Sequence, residues 1–318
     1  MEIEANKTLA GVPWERAVIE KLLLAQVREQ RAARRWGLLR KLLLLALLGV
    51  VVLALFSGRL AGGPARGAHT AVVEIKGEIA KGADASAEFV LPALREAMED
   101  KDAKALVLLI NSPGGSPVQA GIINDEIARL RKKYDKPVYA VVEDTCASGA
   151  YYIAAAADKI YVDKASLVGS IGVLMNGFGF VDTLDKLGVE RRLLIAGQNK
   201  GFLDPFSPMT AEQKRFAQAM LDQIHRQFID VVKKGRGERL KEMPEIFSGL
   251  FWTGEQAIDL GLADAYGSLG SVARDVVKAE KVVDYTNKAN AIDRLAKRLG
   301  VALGQGAVGA LREMPQMR

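Results

Sequence analysis

Two segments decide the fold, ALVLLINSPGG (105–115) and PVYAVVEDTCASGA (137–150). Each begins with a run of mostly Val, Leu, Ile and Ala and ends in a short stretch rich in Ser, Gly or Pro. Runs that are apolar at successive positions are typical of strands buried on both faces, as in parallel sheets. The sequence therefore predicts two buried strands, each followed by a turn of small residues.

The flanking residues extend this pattern into an α/β domain. A further strand is predicted from Thr70, in TAVVEIKGEI, and another at 159–164. Helices are predicted at 89–99, 121–132 and 149–157. Strands that alternate with helices indicate a parallel sheet covered on both faces.

A long amphipathic helix follows the sheet. A capping box formed by Thr210 and Gln213 predicts its start. Its apolar stripe consists of Phe216, Met220, Ile224, Phe228 and Val231. A second capping box, Thr253 with Gln256, predicts a shorter helix that ends at Gly261.

Near the N-terminus, residues 42–58 predict one transmembrane helix. The first fifteen, LLLLALLGVVVLALF, are apolar throughout, and a helix over 42–58 would span roughly 25 Å. Basic residues precede it at Arg34, Arg35, Arg40 and Lys41, so the positive-inside rule keeps the N-terminus in the cytoplasm. A cleaved signal peptide is the main alternative. The basic region of a signal peptide is short, however, whereas about forty residues precede the apolar run here. A buried core helix would normally carry polar residues on one face.

This anchor divides the chain into five predicted regions. They are a basic cytoplasmic tail (1–41), the anchor (42–58), a glycine-rich linker (59–69), a folded domain (70–287) and a C-terminal tail (288–318). The domain then lies on the outer side of the membrane, because the segment after the anchor is the one carried across.

Composition excludes several functions. The formal net charge is +6, but no aromatic-rich basic module is present, so we expect no nucleic-acid partner. The two histidines, His69 and His225, do not belong to a set of residues with metal-ligand spacing, so we expect no metal and no cofactor. His225 falls within the long predicted helix and is interpreted as a surface or packing residue.

The turn after the first buried strand is Asn111-Ser112-Pro113-Gly114-Gly115. Glycines leave backbone N–H groups unobstructed, and such groups can donate to the oxyanion of a reacting carbonyl. Most Pro-Gly-Gly segments are simply turns, so this motif alone decides nothing.

The turn after the second strand contains Ser148, within TCASGA (145–150). A serine there would lie at a helix N-terminus, where free N–H groups and the helix dipole favour developing negative charge. An ordinary N-cap serine would occupy the same position. Cys146 is a rival nucleophile, although a cysteine at a strand end is more often buried packing.

A third motif, GQNKG (197–201), contains Lys200 and follows RRLLIA (191–196), which is read as a strand. A loop lysine is usually a solvated charge, and it becomes a base only when removal from water disfavours the ammonium form. No histidine lies near Ser148 in sequence, so lysine is the plausible base if this serine is activated.

Together these motifs resemble the signal peptide peptidase A (SppA) family of serine peptidases in its short, single-repeat form. The order SPGG, ASG and a lysine 52 residues after the serine carries the resemblance, with LVGSIGV (167–173) and FWTGEQAIDLGLAD (251–264). The resemblance implies Ser148 as nucleophile, Lys200 as general base and Ser170 as the serine that orients the base. It also implies Gly115 and Gly149 as oxyanion donors, and a fold similar to Clp protease and crotonase, with repeated ββα units.

The resemblance further implies a membrane-anchored endopeptidase that cleaves signal-peptide remnants or other unfolded hydrophobic peptides. Its expected location is the inner (plasma) membrane, with the catalytic domain periplasmic, and its expected assembly is a homo-oligomer. Two other functions stay open. One is a catalytically silent membrane scaffold, and the other is a crotonase-like acyl-CoA enzyme, in which Ser148, Lys200 and the anchor would have no role.

Overall fold

The computed structural model describes residues 67–287 except residue 242, together with Leu24 and the helical residues 35–37, 39–47 and 49. The chain divides into two compact units, 1–65 and 66–318. In the first unit, the leucines described between positions 39 and 47 are exposed. No helix within the described residues is long and apolar enough to cross a membrane. Part of the anchor predicted at 42–58, most of the linker and all of the C-terminal tail lie outside the described residues.

In its described part, the second unit is a mixed α/β domain built on one eight-stranded sheet. The strands are β1 (His69–Lys76), β2 (Ala103–Ser112), β3 (Val138–Ala147), β4 (Lys159–Val162), β5 (Leu167–Gly169), β6 (Phe251–Thr253), β7 (Ala265–Tyr266) and β8 (Val282–Asp284). The helices are α1 (Ala87–Glu99), α2 (Pro117–Lys133), α3 (Gly149–Ala154), α4 (Val181–Lys186), α5 (Ala211–Arg236), α6 (Gly254–Asp259) and α7 (Leu269–Ser271), which continues as a π-helix (Val272–Val277).

The sheet is mostly parallel, as the sequence predicts. Its order is β6-β5-β3-β2-β1-β8, and among the described strands only the β5–β6 pair is antiparallel. The sheet branches at β3. The first half of β3 (139–141) pairs with β4, and its last residues (145–147) pair with β5. The end of β3 is therefore held between β2 and β5.

Both faces of the sheet are covered, as predicted. Alternate residues of β1 and β2, such as Val73 and Leu108, belong to the main hydrophobic core together with α1, α2 and α3. Residues of opposite orientation, such as Val72 and Val107, belong to a smaller cluster with Val272. Burial on both faces explains why β2 is apolar at nearly every position.

Helix boundaries differ modestly from the predictions. The helix predicted at 121–132 already begins at Pro117, because Ser116 caps it by accepting a hydrogen bond from the Gln119 N–H group. The helix predicted at 149–157 ends at Ala154. Both predicted capping boxes, at Thr210 and Thr253, are present.

The strand expected at RRLLIA (191–196) is wrong. These residues form neither a strand nor a helix, and Leu194 is 96% exposed. They belong to a longer segment, 174–200, in which nearly every residue is exposed. We call it the exposed arm. Phe180 in this arm stacks against Phe206, whereas Phe178, Leu187 and Leu194 are left largely exposed. The apolar pattern therefore does not correspond to a strand of the sheet.

The C-terminal end of α5 is fixed to the domain by a buried ion pair. Arg236 is 1% exposed; its Nε donates to the Gly261 carbonyl and its Nη1 donates to Asp264 at 2.9 Å. Burial opposes ionisation of Asp264, but hydrogen bonds from Arg236 and the Ile160 N–H group outweigh it, so the pKa of this carboxyl is lowered. The pair therefore connects α5 to the edge of the sheet where β4 and β7 meet.

We expect Arg236→Met to lower the free energy of unfolding by about 3 kcal/mol, because it leaves Asp264 buried with fewer donors. Urea denaturation followed by circular dichroism measures this change. Arg274→Gln is the matched control, since Arg274 forms an ion pair with Asp275 in which both side chains are more than half exposed. It should leave the free energy of unfolding essentially unchanged, because an exposed ion pair contributes little to stability. Equal effects of the two substitutions would contradict the role assigned to Arg236.

Candidate active site

The turns that follow β2 and β3 meet in direct contact. A β carbon placed on Gly114 would lie 2.7 Å from Cβ of Ser148 and 2.8 Å from the Gly149 nitrogen, closer than atoms approach. Gly114 also has a φ of +97°, which favours glycine. The Ser112 hydroxyl accepts a hydrogen bond from the Gly114 N–H group and helps to fix the turn. Only glycine at position 114 allows the two turns to pack this closely.

Ser148 occupies a strained turn between β3 and α3. Its φ of 52° and ψ of −124° are unusual for a residue with a side chain, and its hydroxyl caps no N–H group of α3. The alternative of an ordinary N-cap serine is therefore wrong. The backbone is held in place by hydrogen bonds from its N–H group to the Gly169 carbonyl and from the Tyr152 N–H group to its own carbonyl. A serine on a sharp strand-to-helix turn presents its hydroxyl for attack.

Two backbone N–H groups lie next to this serine, those of Gly115 and Gly149. The Gly115 nitrogen is 3.4 Å from the position of a β carbon built on Gly149, so the two glycines are neighbours. In the described part of the chain, neither N–H group donates a hydrogen bond to the protein. Gly149 is the first residue of α3, where N–H groups have no partner within the helix. The pair is thus available to an external acceptor.

Ser148 and Ser170 line one cavity of about 650 Å³, together with Gly115 and Gly149. Ser170, directly after β5, also has a positive φ of 51°, and its N–H group donates to the Leu250 carbonyl. The remaining wall is largely apolar. It includes Tyr152, Val173, Leu174, Ile224, Phe228 and Phe251.

Lys200 is placed elsewhere. It is exposed, at the end of the exposed arm, in a turn closed by a hydrogen bond from its N–H group to the Gly197 carbonyl. It is not among the described residues that line the cavity. Of the five residues predicted for the site, the structure of one chain therefore brings together four, and the fifth is not with them.

Cys146, the rival nucleophile, is inaccessible. It is fully buried, and this burial raises the pKa of its thiol far above the ordinary range. Within 67–287, apart from residue 242, no group of three or more His, Cys, Asp or Glu residues is arranged to bind a metal ion. Ser148 is thus the accessible nucleophile that stands next to free N–H donors.

Sequence reasoning missed two residues that line the cavity and one hydrogen bond outside its lining. Phe251 and Tyr152 line it, although nothing in the local pattern distinguishes them from packing residues. His225 is half-buried, and its Nε2 lies 3.0 Å from the Ile171 carbonyl oxygen, so it is not simply a surface or packing residue. Phe228 could have been anticipated, because it lies on the predicted apolar stripe of α5; its ring contacts that of Tyr152 at a tilt of 44°.

Known proteins share this region. The model of Peptidase family S49 matches residues 130–284, a range that includes Ser148, Ser170 and Lys200. A protein of Methanocaldococcus jannaschii, named a candidate protease, is 32% identical over 226 residues, which cover 69% of this chain and 72% of that protein. A candidate signal peptide peptidase SppA of Enterococcus faecium is 34% identical over 196 residues, or 62% of this chain and 57% of that protein.

A third relative is named for a different activity. The Na⁺/H⁺ antiporter NhaA of Brucella abortus is 49% identical over 181 residues, which are 57% of this chain but 25% of that protein. Because this chain spans about a quarter of it, its name is not evidence for antiport here.

The family match covers the whole candidate site from Ser148 onward, and the archaeal relative is covered over more than two thirds of its length. The chain belongs to peptidase family S49, a family of serine peptidases that includes the signal peptide peptidase A proteins.

Proposed function

We propose that this chain is a membrane-anchored endopeptidase in which Ser148 attacks a peptide carbonyl and neutral Lys200 accepts its proton. The observation that carries the proposal is the contact between the two turns. It places the Ser148 backbone beside the free N–H groups of Gly115 and Gly149, at the edge of an open cavity. A nucleophile next to two such donors is the arrangement that acyl transfer requires.

In the acylation step, Lys200 takes the proton as the Ser148 oxygen bonds to the substrate carbonyl carbon. The negative charge that develops on the carbonyl oxygen is stabilised by the Gly115 and Gly149 N–H groups, each worth about 3 kcal/mol. The tetrahedral intermediate collapses as the C–N bond breaks and Lys200 gives the proton to the departing amine, and the acyl part of the substrate stays bound to Ser148 as an ester.

Water then releases the acyl group by the same route. Lys200 accepts a proton from the attacking water, and the two N–H groups again stabilise the oxyanion. The proton returns to the Ser148 oxygen as the ester bond breaks, which restores the free enzyme. In both steps the Ser170 hydroxyl orients the lysine amine.

A second copy of this chain completes the site in our proposal. Lys200 is exposed and outside the cavity of its own chain, on an arm that exposes Leu174, Phe178 and Leu187 to at least 70%. Exposed apolar surface of this extent is typical of a protein interface. Packing of the arm against a neighbouring copy would cover these side chains and carry Lys200 to the neighbour's Ser148. Removal of water would also favour the neutral amine that a base needs.

The anchor at 42–58 holds this assembly at the inner membrane, with the catalytic domain on the periplasmic side. The proposal rests on the apolar sequence, on the exposed leucines described between 39 and 47, and on the basic residues before them. The apolar cavity wall suits signal-peptide remnants and other unfolded hydrophobic peptides, which would be available at that surface.

Two alternatives predict different results. A catalytically silent scaffold would keep the cavity but show no Lys200-dependent turnover, and the position of Lys200 outside the cavity is the observation that favours it. A crotonase-like enzyme would bind acyl-CoA esters at the N–H groups of Gly115 and Gly149, and it would not need Ser148.

We expect Lys200→Ala in the full-length protein to abolish cleavage of an apolar peptide between pH 6 and 10, because Ser148 then has no base. The rate of peptide hydrolysis by detergent-solubilised protein measures this. Lys186→Ala is the matched control, since Lys186 is an exposed lysine on the same arm and should leave turnover unchanged. A folded Lys200→Ala protein with normal turnover would contradict the dyad.

We expect inactive Ser148→Ala and Lys200→Ala chains to restore activity when they are co-expressed. A random mixture would contain roughly a quarter of the wild-type sites, each built from the intact Ser148 of one copy and the intact Lys200 of its neighbour. Hydrolysis by the co-purified mixture measures this, and each variant alone provides the background. No recovery in a mixture shown to form mixed oligomers would mean that both residues act within one chain.

A further inference from the structure

His225 makes a hydrogen bond that the catalytic scheme does not use. It lies in the middle of α5 and is half-buried, and its Nε2 is 3.0 Å from the carbonyl oxygen of Ile171. A carbonyl oxygen only accepts, so Nε2 is the donor. Ile171 is itself fully buried, which makes this contact a bond between α5 and the interior of the site.

The bonded carbonyl belongs to a strained segment that directly follows β5. Ser170 has a φ of 51°, a backbone conformation that persists only where surrounding contacts enforce it. The Ser170 N–H group donates to the Leu250 carbonyl at 2.8 Å, and the Gly172 N–H group donates to the Ser170 carbonyl at 2.9 Å. The His225 bond fixes the next carbonyl along, that of Ile171.

The same segment is coupled to the nucleophile. Gly169, the residue before Ser170, accepts the hydrogen bond from the Ser148 N–H group at 2.8 Å. A continuous path therefore leads from α5 through the His225 bond and the backbone of 169–171 to Ser148. A shift of this segment would alter both serines of the site.

The bond also connects two walls of the cavity. Ile224 and Phe228 of α5 form part of one wall, and Ser170 and Gly172 form part of another. His225 is next to Ile224 in the chain, but it is not among the described residues that line the cavity. His225 therefore affects the site through the residues that line the cavity and does not contact the substrate.

We propose that His225 is a positioning residue, which holds the 170–172 segment so that the Ser170 hydroxyl points towards the base. This inference rests on the proposed function. His225 carries no proton in the reaction, because Lys200 is the base. The structural requirement is a donor at the Nε2 position and not a titrating group.

Two substitutions of His225 test whether a hydrogen-bond donor at the Nε2 position is what the site requires. In His225→Gln, the side-chain amide can place an N–H donor near the position of Nε2, and it does not titrate between pH 6 and 10. In His225→Leu, the volume is similar but the donor is absent, which leaves the buried Ile171 carbonyl without its partner. Arg226→Gln is the matched control, because Arg226 is the next residue of α5 and is exposed.

The experiment measures peptide hydrolysis by the full-length protein as a function of pH. We expect His225→Leu to lower kcat about tenfold with little change in KM, because the strained segment relaxes and the base is misaligned. We expect His225→Gln to stay within about threefold of the wild type, with a pH profile of the same shape. Arg226→Gln should match the wild type.

Hydrogen exchange of the backbone N–H groups of 170–173 provides a second readout that does not depend on activity. We expect faster exchange in His225→Leu and wild-type exchange in His225→Gln. Unchanged kcat and exchange in His225→Leu would overturn the inference while the proposed function stands. Loss of activity in His225→Gln would also overturn it, since a hydrogen-bond donor at that position would then not be sufficient. A wild-type protein with no Ser148-dependent hydrolysis would overturn the proposed function, and exchange alone would then decide whether His225 holds the segment.

Discussion

The contact between Gly114 and Ser148 is the constraint on which the rest of the site depends. Parallel strands end at the same edge of a sheet, but that alone does not place two turns in van der Waals contact. The pairing of β2 with β3 is in regular register up to Ile110 and Val142, and it then resumes between Ser112 and Cys146. β3 contains two more residues than β2 between these pairs, so Ser148, and not Cys146, comes to lie against Gly114. At the same point, β3 exchanges its neighbour β4 for β5.

This arrangement also explains why the site is strained. Ser148 and Ser170 both have φ near +50°, and each such residue costs on the order of 1–3 kcal/mol. Hydrogen bonds to Gly169 and Leu250 hold both turns in place. Both serines line one cavity, and among the residues that the structure describes the Gly115 and Gly149 N–H groups have no protein acceptor. A preorganised site of this kind needs little rearrangement when charge develops on a substrate.

Much of this was predictable from local sequence. The apolar runs of β2 and β3 predict buried parallel strands, and the small residues after them predict the turns that meet. The positive φ of Ser148 and Ser170 was not predictable, because it results from contacts with β5 and with the loop before β6. The His225 bond was not predictable either, since a bond to a backbone carbonyl leaves no pattern in the sequence.

The exposed arm shows a different limit of prediction from sequence patterns. RRLLIA has the composition of a strand, yet Leu194 is almost fully exposed and no strand forms there. An apolar pattern indicates that a segment will be buried, but it does not indicate whether the same chain or another chain buries it. For β2 the cover is the core of the same domain. For the arm, we propose that another copy of the chain buries it. This would explain why an apolar pattern at 191–196 predicts a strand that the single chain does not form.

In our proposal, Ser148 is an activated nucleophile. The most direct test treats the full-length protein with a fluorophosphonate, which modifies activated serines, and locates the adduct by mass spectrometry of its peptides. We expect one adduct, on Ser148, formed faster as the pH rises from 6 to 10. An unmodified Ser148 beside a modified Cys146 or another serine would contradict it.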